Sequence, residues 1–422
     1  MLDIRLIREN PDRVKEGIRK KGEGPENVDA ALRLDEERRQ LLQKVEVLKS
    51  KKNTVSAQVA KMKGAGQDAG ALILEMRTVA DEVKTLDDRL RIVEEQLEAA
   101  LLQIPNIPHD SVPVGMTPAD NKVVAQWGEP PAGDVLPRAH WEVIEKLNLI
   151  DFARGTKITG AGFPIYVGKG AKLERALINF FLDEASGAGY TEVFPPLMVN
   201  AASARGTGQL PDKEDQMYVV TRDELYLVPT AEVPVTNMYR DEILSEDQLP
   251  VKLCAFTPCF RREAGSYGKD VRGLNRVHQF NKVELVKLVR PSSSYDELEL
   301  LRVDAERVLQ KLGLHYHVLL MCSADLGFTQ TKKYDLEVWS PGQQKWLEVS
   351  SISNFESFQA RRLNLRYRPK AGGKPEILHT LNASALALPR IVAAILEHYQ
   401  TPEGKVIVPK VLHKYTGFEV IG

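Results

Sequence analysis

Two long heptad repeats, separated by a short glycine-rich segment, constrain the fold of this chain more than any other feature of its sequence. Over residues 34–62 and again over 72–97, mostly apolar residues recur at alternating steps of four and three. That spacing is typical of a coiled coil. Gly64, Gly66 and Gly70 separate the repeats, and glycines end helices and turn the chain. We therefore expect two antiparallel helices, each about 40 Å long at 1.5 Å per residue, that form an arm too long for a globular core.

The two predicted helices differ in charge. Residues 33–63 contain nine basic and four acidic residues, whereas residues 71–98 contain four basic and eight acidic ones. The heptad spacing also places Arg38 and Lys52 in the first seam. One interpretation is a solvated rod whose helices attract each other. The alternative is that the first helix offers a positive stripe to phosphates, and charge alone favours the solvated rod.

The composition is that of a folded globular protein. The chain has 422 residues, of which 43% are hydrophobic and 27% are charged, which indicates two or three domains. Its net charge of -1 excludes a bulk polycation, so any nucleic-acid binding must come from a local patch. The N-terminus lacks the apolar stretch of a signal peptide, and no run approaches the roughly 18 apolar residues of a membrane span.

The chain contains three cysteines, Cys254, Cys259 and Cys322. A sparse, odd number of cysteines in a long chain indicates reduced thiols and a cytoplasmic location. Cys254 and Cys259 raise the alternative of a zinc site, but their spacing is poor and no histidine-rich partner lies nearby in the sequence. We therefore expect no zinc.

A proline-rich segment separates the arm from the rest of the chain. Residues 104–137 contain seven prolines, and proline sustains neither a helix nor a central strand. The sequence thus predicts an N-terminal domain over 1–103 with the arm at about 30–102, an extended linker over 104–137, and a larger domain over 138–422.

A charged hairpin is the most informative part of the larger domain. Two strand-like segments, 260–263 and 276–284, flank a loop rich in glycine and charge. Strand alternation would place guanidinium groups, carboxylates and the Phe280 ring together on a sheet. A nucleoside triphosphate needs such groups, because arginine binds phosphate in a bidentate manner and a flat ring packs against the base. The alternative is a surface hairpin with salt bridges and no ligand.

Together with other segments, this hairpin resembles the signatures of class II aminoacyl-tRNA synthetases. Residues 189–196 are similar to motif 1, residues 260–284 to motif 2, and residues 385–390, which lead into an apolar helix, to motif 3. Longer matches at 230–232, 348–354, 359–362 and 380–382 resemble the seryl-tRNA synthetases of bacterial type. The resemblance extends over essentially the whole chain, including the arm.

The resemblance implies both a fold and an activity. The expected fold is α+β, an antiparallel-sheet class II catalytic domain with an N-terminal antiparallel two-helix coiled-coil arm. The expected protein is a cytoplasmic homodimer that forms its interface through motif 1. The implied activity is that of a serine–tRNA ligase, which uses ATP and Mg²⁺ to convert L-serine to seryl-adenylate. It then transfers serine to the 3′ end of tRNA-Ser, and the family suggests tRNA-Sec as a second acceptor.

The resemblance also implies roles around ATP. Arg261 would hold the α-phosphate and the serine carboxylate, Glu263 would meet the adenine amino group, and adenine would stack on Phe280. Arg276 would reach the γ-phosphate, with Arg390 of motif 3 opposing it. The full predicted ATP-binding set is Arg261, Arg262, Glu263, Arg276, Val277, Phe280, Glu348, Val349, Ser350, Ser351 and Arg390.

A serine pocket and a metal site are implied in the same way. Glu232 and Glu284 would receive the ammonium group, and Asn382 and Ser384 would read the hydroxyl. The predicted serine-binding set is Thr230, Ala231, Glu232, Arg261, Glu284, Asn382 and Ser384. Glu348 and Ser351 are the expected Mg²⁺ ligands. Arg261, Glu284 and Arg390 are the expected catalytic residues.

With this resemblance, the second interpretation of the arm becomes the favoured one. In the family, such an arm grips the long variable arm and elbow of the tRNA by shape and phosphate contact. Lys49, Lys51 and Lys52 are therefore predicted to contact tRNA. Two alternatives remain open: a ligase that loads an amino acid onto a carrier protein, and a coiled-coil protein with an inactive synthetase domain. The carrier-protein ligases lack the arm, and an inactive domain would have lost its motif residues.

Two residues depart from the commoner family pattern. Asn275 stands where many relatives have an aliphatic residue, and Arg262 replaces a serine. Both lie beside the expected ligand contacts, so they bear on the motif 2 loop more than on the chemistry. Trp339 and Trp346 bracket a Pro341-Gly342 turn, which predicts a hairpin without a functional role.

Overall fold

The computed structural model describes residues 1–131, 137–263 and 272–422. It comprises two compact units, one of Met1–Arg19 and Glu23–Pro105, the other of Lys20–Gly22 and Asn106–Gly422. The helices of the N-terminal region are α1 (Ile4–Glu9), α2 (Pro11–Lys20), α3 (Glu26–Gly64) and α4 (Gly70–Leu102). No helix in the described part of the chain has the length and apolar character that a membrane span requires.

Helices α3 and α4 form the predicted arm. They contain 39 and 33 residues, which corresponds to about 58 Å and 50 Å at 1.5 Å per residue. Ion pairs join them in reverse order, from Arg38–Glu94 at 2.9 Å to Lys51–Glu75 at 2.6 Å, so the two helices are antiparallel. The prediction of an antiparallel two-helix arm is confirmed.

The seam of the arm is apolar, with one correction. Val45, Val55, Val83 and Val93 are buried between the helices, as the heptads predict. Lys52 was predicted in the seam and is instead exposed. The physical reason is that a buried ammonium without a partner carries a large desolvation penalty, so the local helix geometry leaves the lysine in solvent.

The second unit is built of short helices and many strands. Its helices are α5 (His140–Leu147), α6 (Phe152–Ile158), α7 (Lys169–Gly187), α8 (Ala201–Thr207), α9 (Glu232–Thr236), α10 (Ser294–Leu312), α11 (Phe358–Arg362), α12 (Leu388–His398) and α13 (His413–Thr416). Its strands are β1 (Lys122–Trp127), β2 (Ile150–Asp151), β3 (Ile165–Tyr166), β4 (Thr191–Glu192), β5 (Met198–Asn200), β6 (Val219–Val220), β7 (Leu225–Leu227), β8 (Ile243–Ser245), β9 (Val251–Phe260), β10 (Gln279–Val289), β11 (Tyr316–Leu320), β12 (Lys332–Ser340), β13 (Lys345–Asn354), β14 (Arg366–Arg368), β15 (Glu376–Ile377), β16 (His379–Ala387), β17 (Val406–Ile407) and β18 (Val420–Ile421).

One large sheet organises this unit. Eight of the described strands form it in the order β1–β11–β12–β13–β16–β10–β9–β4. Every neighbouring pair is antiparallel except β4 and β9. The predicted α+β class with a largely antiparallel sheet is confirmed.

The proline-rich segment is more than the linker predicted for residues 104–137. Lys122–Trp127 forms β1, the edge strand of the large sheet, and pairs with β11. All seven prolines of the segment lie outside this strand, so its backbone N–H groups are free to join the ladder. The boundary between the compact units falls at Pro105 and Asn106.

The two faces of the sheet pack against different clusters. Along β10, Val283 and Leu285 belong to the larger apolar core, whereas Val286 and Leu288 belong to a smaller cluster. Because side chains alternate along a strand, odd-numbered residues of β10 face one side and even-numbered residues the other. Helices α7, α10 and α12 cover the larger core, and residues of α9 and α11 contribute to the smaller cluster. The polar residues of the candidate site lie on this second face.

Candidate active site

The predicted hairpin exists, with shifted strand ends. Strands β9 and β10 pair so that Phe260 lies opposite Gln279 and Thr257 opposite Lys282. The strands end and begin at Phe260 and Gln279 rather than within 261–263 and 276–278, although the Arg261 N–H still donates to the His278 carbonyl at 2.9 Å. The tip of the hairpin, residues 264–271, lies outside the described residues.

Arg261 and Phe280 meet at the mouth of this hairpin. The Arg261 guanidinium lies over the Phe280 ring, 5.2 Å from its centroid, which is the geometry of a cation–π contact. Arg261 Nε also donates to the carbonyl of Pro229 at 3.3 Å. The structure therefore brings together the residues expected to hold the α-phosphate and the adenine.

The other hairpin residues divide into two groups. Arg276 and Glu263 form an ion pair at 3.0 Å, so the residues expected at the two ends of ATP face each other. The Arg262 side chain is exposed. The backbone N–H of Arg262 donates to the Gln216 carbonyl at 2.9 Å. The side chain of Val277 is buried, so it offers little surface to a ligand.

Two buried carboxylates form the centre of the site, and one amide bridges them. Asn382 Nδ2 donates to Glu232 Oε2 at 2.8 Å and to Glu284 Oε1 at 3.0 Å. Ser384 Oγ donates to Glu284 Oε2 at 3.3 Å, and the Glu232 N–H donates to Thr230 Oγ1 at 3.2 Å. All five side chains are buried, as is neighbouring Ala231. Five of the residues predicted to bind serine are thus joined in one hydrogen-bonded cluster, and their role in serine binding stays a prediction.

One acceptor in this pocket remains without a partner. Asn382 Oδ1 is buried, and no hydrogen bond reaches it in the described structure. Buried polar atoms are nearly always hydrogen-bonded in folded proteins. Asn382 Oδ1 can therefore accept a hydrogen bond from a ligand, beside two carboxylates that are also acceptors.

Sequence reasoning missed three residues that support these carboxylates. Lys282 Nζ lies 2.5 Å from Glu284 Oε2. Gln359 Nε2 donates to Glu232 Oε1 at 2.7 Å, and Thr380 Oγ1 donates to Gln359 Oε1 at 2.7 Å. Alternation along β10 could have indicated Lys282, which lies two residues before Glu284. Gln359 and Thr380 belong to segments that matched the family, but nothing in the sequence pointed to their contacts.

The buried environment of Glu232 affects its ionisation. Burial, and then the charge of Glu284, raise the pKa of Glu232 to about 7, against the opposing effects of Gln359 and of the cations Lys282 and Lys213. Burial and the nearby Arg261 lower the pKa of Lys213. Lys213 is a further cation near the site that the sequence did not single out.

A β-bulge places Glu348 and Ser351 on one face. Glu337 of β12 pairs with Glu348, whereas Asp335 pairs with Ser351, because β13 contains one extra residue at this point. Glu337 and Asp335 are two residues apart and share a face, so their partners share it too. Without the bulge, residues three apart would face opposite sides of the sheet.

The two residues between them face the core. Val349 belongs to the larger apolar cluster, and Ser350 is buried and donates to the Ser384 carbonyl at 2.6 Å. A ligand on the other face of the sheet could reach only their backbone, so their place in the ATP site stays a prediction for backbone contacts alone. The bulge explains why four consecutive residues do not all contribute side chains to one site.

Arg390 joins this part of the site from the first turn of α12. Its Nη1 donates to the Glu348 carbonyl at 2.6 Å and lies 3.9 Å from Glu348 Oε2. The positive charges of Lys333 and then Arg390 hold the pKa of Glu348, whose side chain is partly exposed, below its usual range. Lys333 forms an ion pair with Asp335 at 3.0 Å. Lys333 and Asp335 were not predicted and extend the charged face beyond Glu348.

The cysteines do not form a metal site. Cys254 and Cys259 are both buried on β9 but lie five residues apart, and they therefore face opposite sides of the sheet. Two ligands on opposite faces cannot bind one ion. Among the described residues there is also no cluster of three or more histidine, cysteine, aspartate or glutamate residues that could hold a metal.

Comparisons with known proteins identify the family of this chain. Residues 1–108 match the family model of the seryl-tRNA synthetase N-terminal domain, and residues 218–399 match that of the tRNA synthetase class II core domain (G, H, P, S and T). The chain is 56% identical to a serine–tRNA ligase of Carboxydothermus hydrogenoformans, over all of this chain and 99% of that one. The chain belongs to the seryl-tRNA synthetase family.

Solved structures of seryl-tRNA synthetases share the whole fold. The chain resembles the enzyme of Pyrococcus horikoshii complexed with ATP, with a TM-score of 0.94 and 39% identity over 100% and 99% of the two chains. It also resembles a cytoplasmic serine–tRNA ligase of Naegleria fowleri in complex with AMP, with a TM-score of 0.89 and 29% identity over 100% and 98%. The similarity therefore includes the arm as well as the sheet.

The raised pKa of Glu232 predicts a pH-dependent stability. Between pH 4.5 and about 7, Glu232 is protonated more fully in the folded protein than in the unfolded chain. The stability that Glu232 contributes is therefore complete below pH 4.5 and is lost as the pH rises through 7. Relative to Glu232→Gln, we expect the free energy of unfolding of the unaltered protein to fall by about 2 to 3 kcal/mol from pH 5 to pH 8. Urea unfolding without ligands measures it. Exposed Glu142→Gln is the control, and equal pH dependence in Glu232→Gln and the unaltered protein would contradict the prediction.

Proposed function

We propose that this protein is a serine–tRNA ligase, which activates L-serine with ATP and transfers it to the 3′ end of tRNA-Ser, with tRNA-Sec as a second acceptor. The observation that carries the proposal is the pair of buried carboxylates, Glu232 and Glu284, bridged by Asn382. In the same unit Arg261 lies over Phe280. This pocket belongs to a chain that matches serine–tRNA ligases over its full length.

The pocket suits a small amino acid that carries a hydroxyl group. The ammonium would bind beside Glu232 and Glu284, two carboxylates that accept from the same nitrogen, Asn382 Nδ2. The hydroxyl would donate to the unpaired Asn382 Oδ1 or bond with Ser384. A site that hydrogen-bonds a substrate hydroxyl rejects an analogue without it, because buried polar groups then lose their partners. Alanine should therefore be a poor substrate.

Activation needs positioning and charge neutralisation rather than a general base. The serine carboxylate would attack the α-phosphorus of ATP and release pyrophosphate. Both reactants are anions, so cations contribute most by bringing them together. Arg261 would hold the carboxylate and the α-phosphate, leaving the Phe280 ring so that adenine can stack there. Arg276 and Arg390 would hold the terminal phosphates, and Glu263 would meet the adenine amino group.

Glu348 and Ser351 fit a magnesium site. Both present oxygen donors on the same face because of the bulge in β13. Mg²⁺ in ATP-using enzymes is held by one or two carboxylates together with substrate phosphates, not by a protein cage. When bound, the ion would supply positive charge that offsets the charge of the phosphates. Arg390, bonded to the Glu348 carbonyl, would set the position of this side of the site.

The arm is proposed to bind the long variable arm of tRNA-Ser. Its charges qualify the prediction, because Lys49 lies 3.1 Å from Asp87 and Lys51 lies 2.6 Å from Glu75 on the return helix. Exposed ion pairs of this kind contribute about 0–1 kcal/mol each. Phosphates can therefore displace these carboxylates at little cost. Lys52 is exposed and offers its charge directly to solvent.

A homodimer is proposed from the motif 1 segment and the two residues that follow it. Phe194, Leu197 and Met198 are exposed by 84%, 37% and 48%. Adjacent exposed apolar residues of this size are typical of a protein interface.

The three free, buried cysteines also support a reducing, cytoplasmic location.

Pyrophosphate exchange tests the proposed activity. We expect ATP–pyrophosphate exchange that depends on serine and is at least about 100-fold weaker with alanine, followed by charging of purified tRNA-Ser. Glu284→Gln should lower kcat/KM for serine by about 10- to 150-fold, because it removes a charged partner of the ammonium. No exchange with serine, or exchange with no transfer to tRNA, would refute the proposal.

Replacing Lys49, Lys51 and Lys52 by alanine tests the arm. We expect the Kd for tRNA-Ser to rise at least about tenfold and the slope of log Kd against log salt to flatten by up to about 3, because fewer phosphates are neutralised. Serine-dependent pyrophosphate exchange should not change. The matched control replaces Arg77, Lys84 and Arg91 of α4 by alanine. If both triple variants weaken tRNA binding equally, the first helix has no special role.

Phe194→Asp tests the dimer. In sedimentation velocity the unaltered protein should have about twice the chain mass of 47.2 kDa. Phe194→Asp should shift it towards the monomer, because the interface would then bury a charge without a partner. Leu300→Asp, a change at an exposed apolar residue outside motif 1, serves as the control. A monomeric unaltered protein would exclude the proposed dimer.

A further inference from the structure

A fully buried carboxylate outside the proposed ligand contacts joins three separate segments. Glu397 of α12 accepts five hydrogen bonds. Its Oε1 accepts from the N–H and Nδ1 of His140, both at 2.9 Å, and from Gln343 Nε2 at 3.1 Å. Its Oε2 accepts from Ser340 Oγ and from the Gly342 N–H at 3.1 Å. Burial alone would raise the pKa of Glu397, but the bonds from His140 and Ser340 hold it below its usual range.

His140 links Glu397 to motif 2. Its Nε2 accepts a hydrogen bond from the Leu274 N–H at 2.9 Å. A backbone N–H can only donate, so Nε2 carries no proton and Nδ1 donates to Glu397. Gly273 makes this approach possible, since its φ is +67° and a Cβ there would lie 2.3 Å from His140 Nε2. The fit holds Gly273 and Leu274, which lie in the returning limb of motif 2 (residues 272–278), against the first residue of α5.

Gln343 forms a second link from Glu397 to the same limb. Its Oε1 accepts from Asn275 Nδ2 at 2.8 Å, and the Asn275 carbonyl accepts from Arg390 Nε at 3.3 Å. Gly342 allows its turn to lie close to α5, because a Cβ would be 2.7 Å from the Arg138 carbonyl. The turn predicted to have no functional role is therefore part of a buried hydrogen-bond network.

Both links end beside the arginines proposed to hold the terminal phosphates. Arg276 directly follows Asn275, and Arg390 bonds to the Asn275 carbonyl. Arg390 and Glu397 are seven residues apart, about two helical turns, and so project from the same side of α12. The distance between the two guanidinium groups thus depends on how firmly the limb is held against α12.

We propose that Glu397, His140 and Gln343 are positioning residues for ATP, which fix the returning limb of motif 2 against the motif 3 helix and so set Arg276 relative to Arg390. This inference rests on the proposed function, because it assumes that these arginines bind phosphates. Reactants held about 1 Å out of place can react about 100-fold more slowly. Asn275, unusual in the sequence, is then the residue through which Gln343 acts on Arg390.

Gln343→Leu is the first test, in the full-length protein. It keeps the size of the side chain but removes the link between Glu397 and Asn275. We expect the KM for ATP in serine-dependent pyrophosphate exchange to rise about tenfold. The KM for serine should stay within about twofold, because the bonds of Glu232, Glu284 and Asn382 in the described structure run to other residues. The matched control is Gln344→Leu on the same turn, whose amide donates to the Pro341 carbonyl and should leave both values unchanged.

A double-mutant cycle adds a measurement that general destabilisation does not reproduce. Asn275→Leu and Gln343→Leu break the same hydrogen bond. The KM for ATP of the double variant should therefore lie within about twofold of that of the more impaired single variant. Independent, multiplied losses would contradict a shared role, as would equal effects of Gln343→Leu and Gln344→Leu. If Gln343→Leu impairs ATP and serine parameters alike and lowers the fraction of active sites, the network is structural and the proposal fails.

Direct nucleotide binding separates this proposal from the proposed function. The Kd for ATP, measured by calorimetry, should rise about tenfold in Gln343→Leu and not in Gln344→Leu. A chain that binds ATP with this pattern but exchanges no pyrophosphate with serine would refute the proposed function and retain the positioning role. If serine-dependent exchange occurs and its KM for ATP is unchanged in Gln343→Leu, the positioning role is refuted and the proposed function is retained.

Discussion

The site depends on keeping two carboxylates buried within reach of one amide. Glu232 and Glu284 repel each other, and burial makes each charge more costly. The structure offsets this with the Asn382 bridge, the Lys282 ammonium and the Gln359 amide. The three supports come from different strands or helices, so the pocket exists only when the sheet is complete. Such a pocket costs stability before ligand binding and gains most from a cationic ligand.

The two-faced sheet makes this arrangement possible. One face of β10 carries Val283 and Leu285 into the large apolar core, and the other carries Lys282 and Glu284. The core face supplies the burial that holds the strands in register. The charged face can then carry groups whose own packing is unfavourable. Strand register thus connects global stability to local chemistry.

Patterns that repeat along the chain were predictable, and contacts between distant segments were not. The heptads indicated the arm, and the resemblance to seryl-tRNA synthetases assigned Glu232, Glu284 and Asn382 to one pocket. Lys52 was misplaced because heptad spacing does not include the cost of burying a charge. The edge strand β1 was missed because the sequence of an extended segment does not show which strand it pairs with. The bond from His140 to Glu397 spans 257 residues, and no local pattern encodes it.

The extra residue in β13 limits the sequence changes that this strand can accept. Before it, even-numbered residues such as Glu348 point to the ligand face. After it, odd-numbered residues such as Ser351 do so. A single-residue deletion there would restore strict alternation and turn Glu348 or Ser351 into the apolar layer. A substitution near the bulge changes one side chain, whereas a change in length reverses the face of every residue on one side of it. The strand should therefore keep its residue count even in relatives whose surrounding loops vary freely.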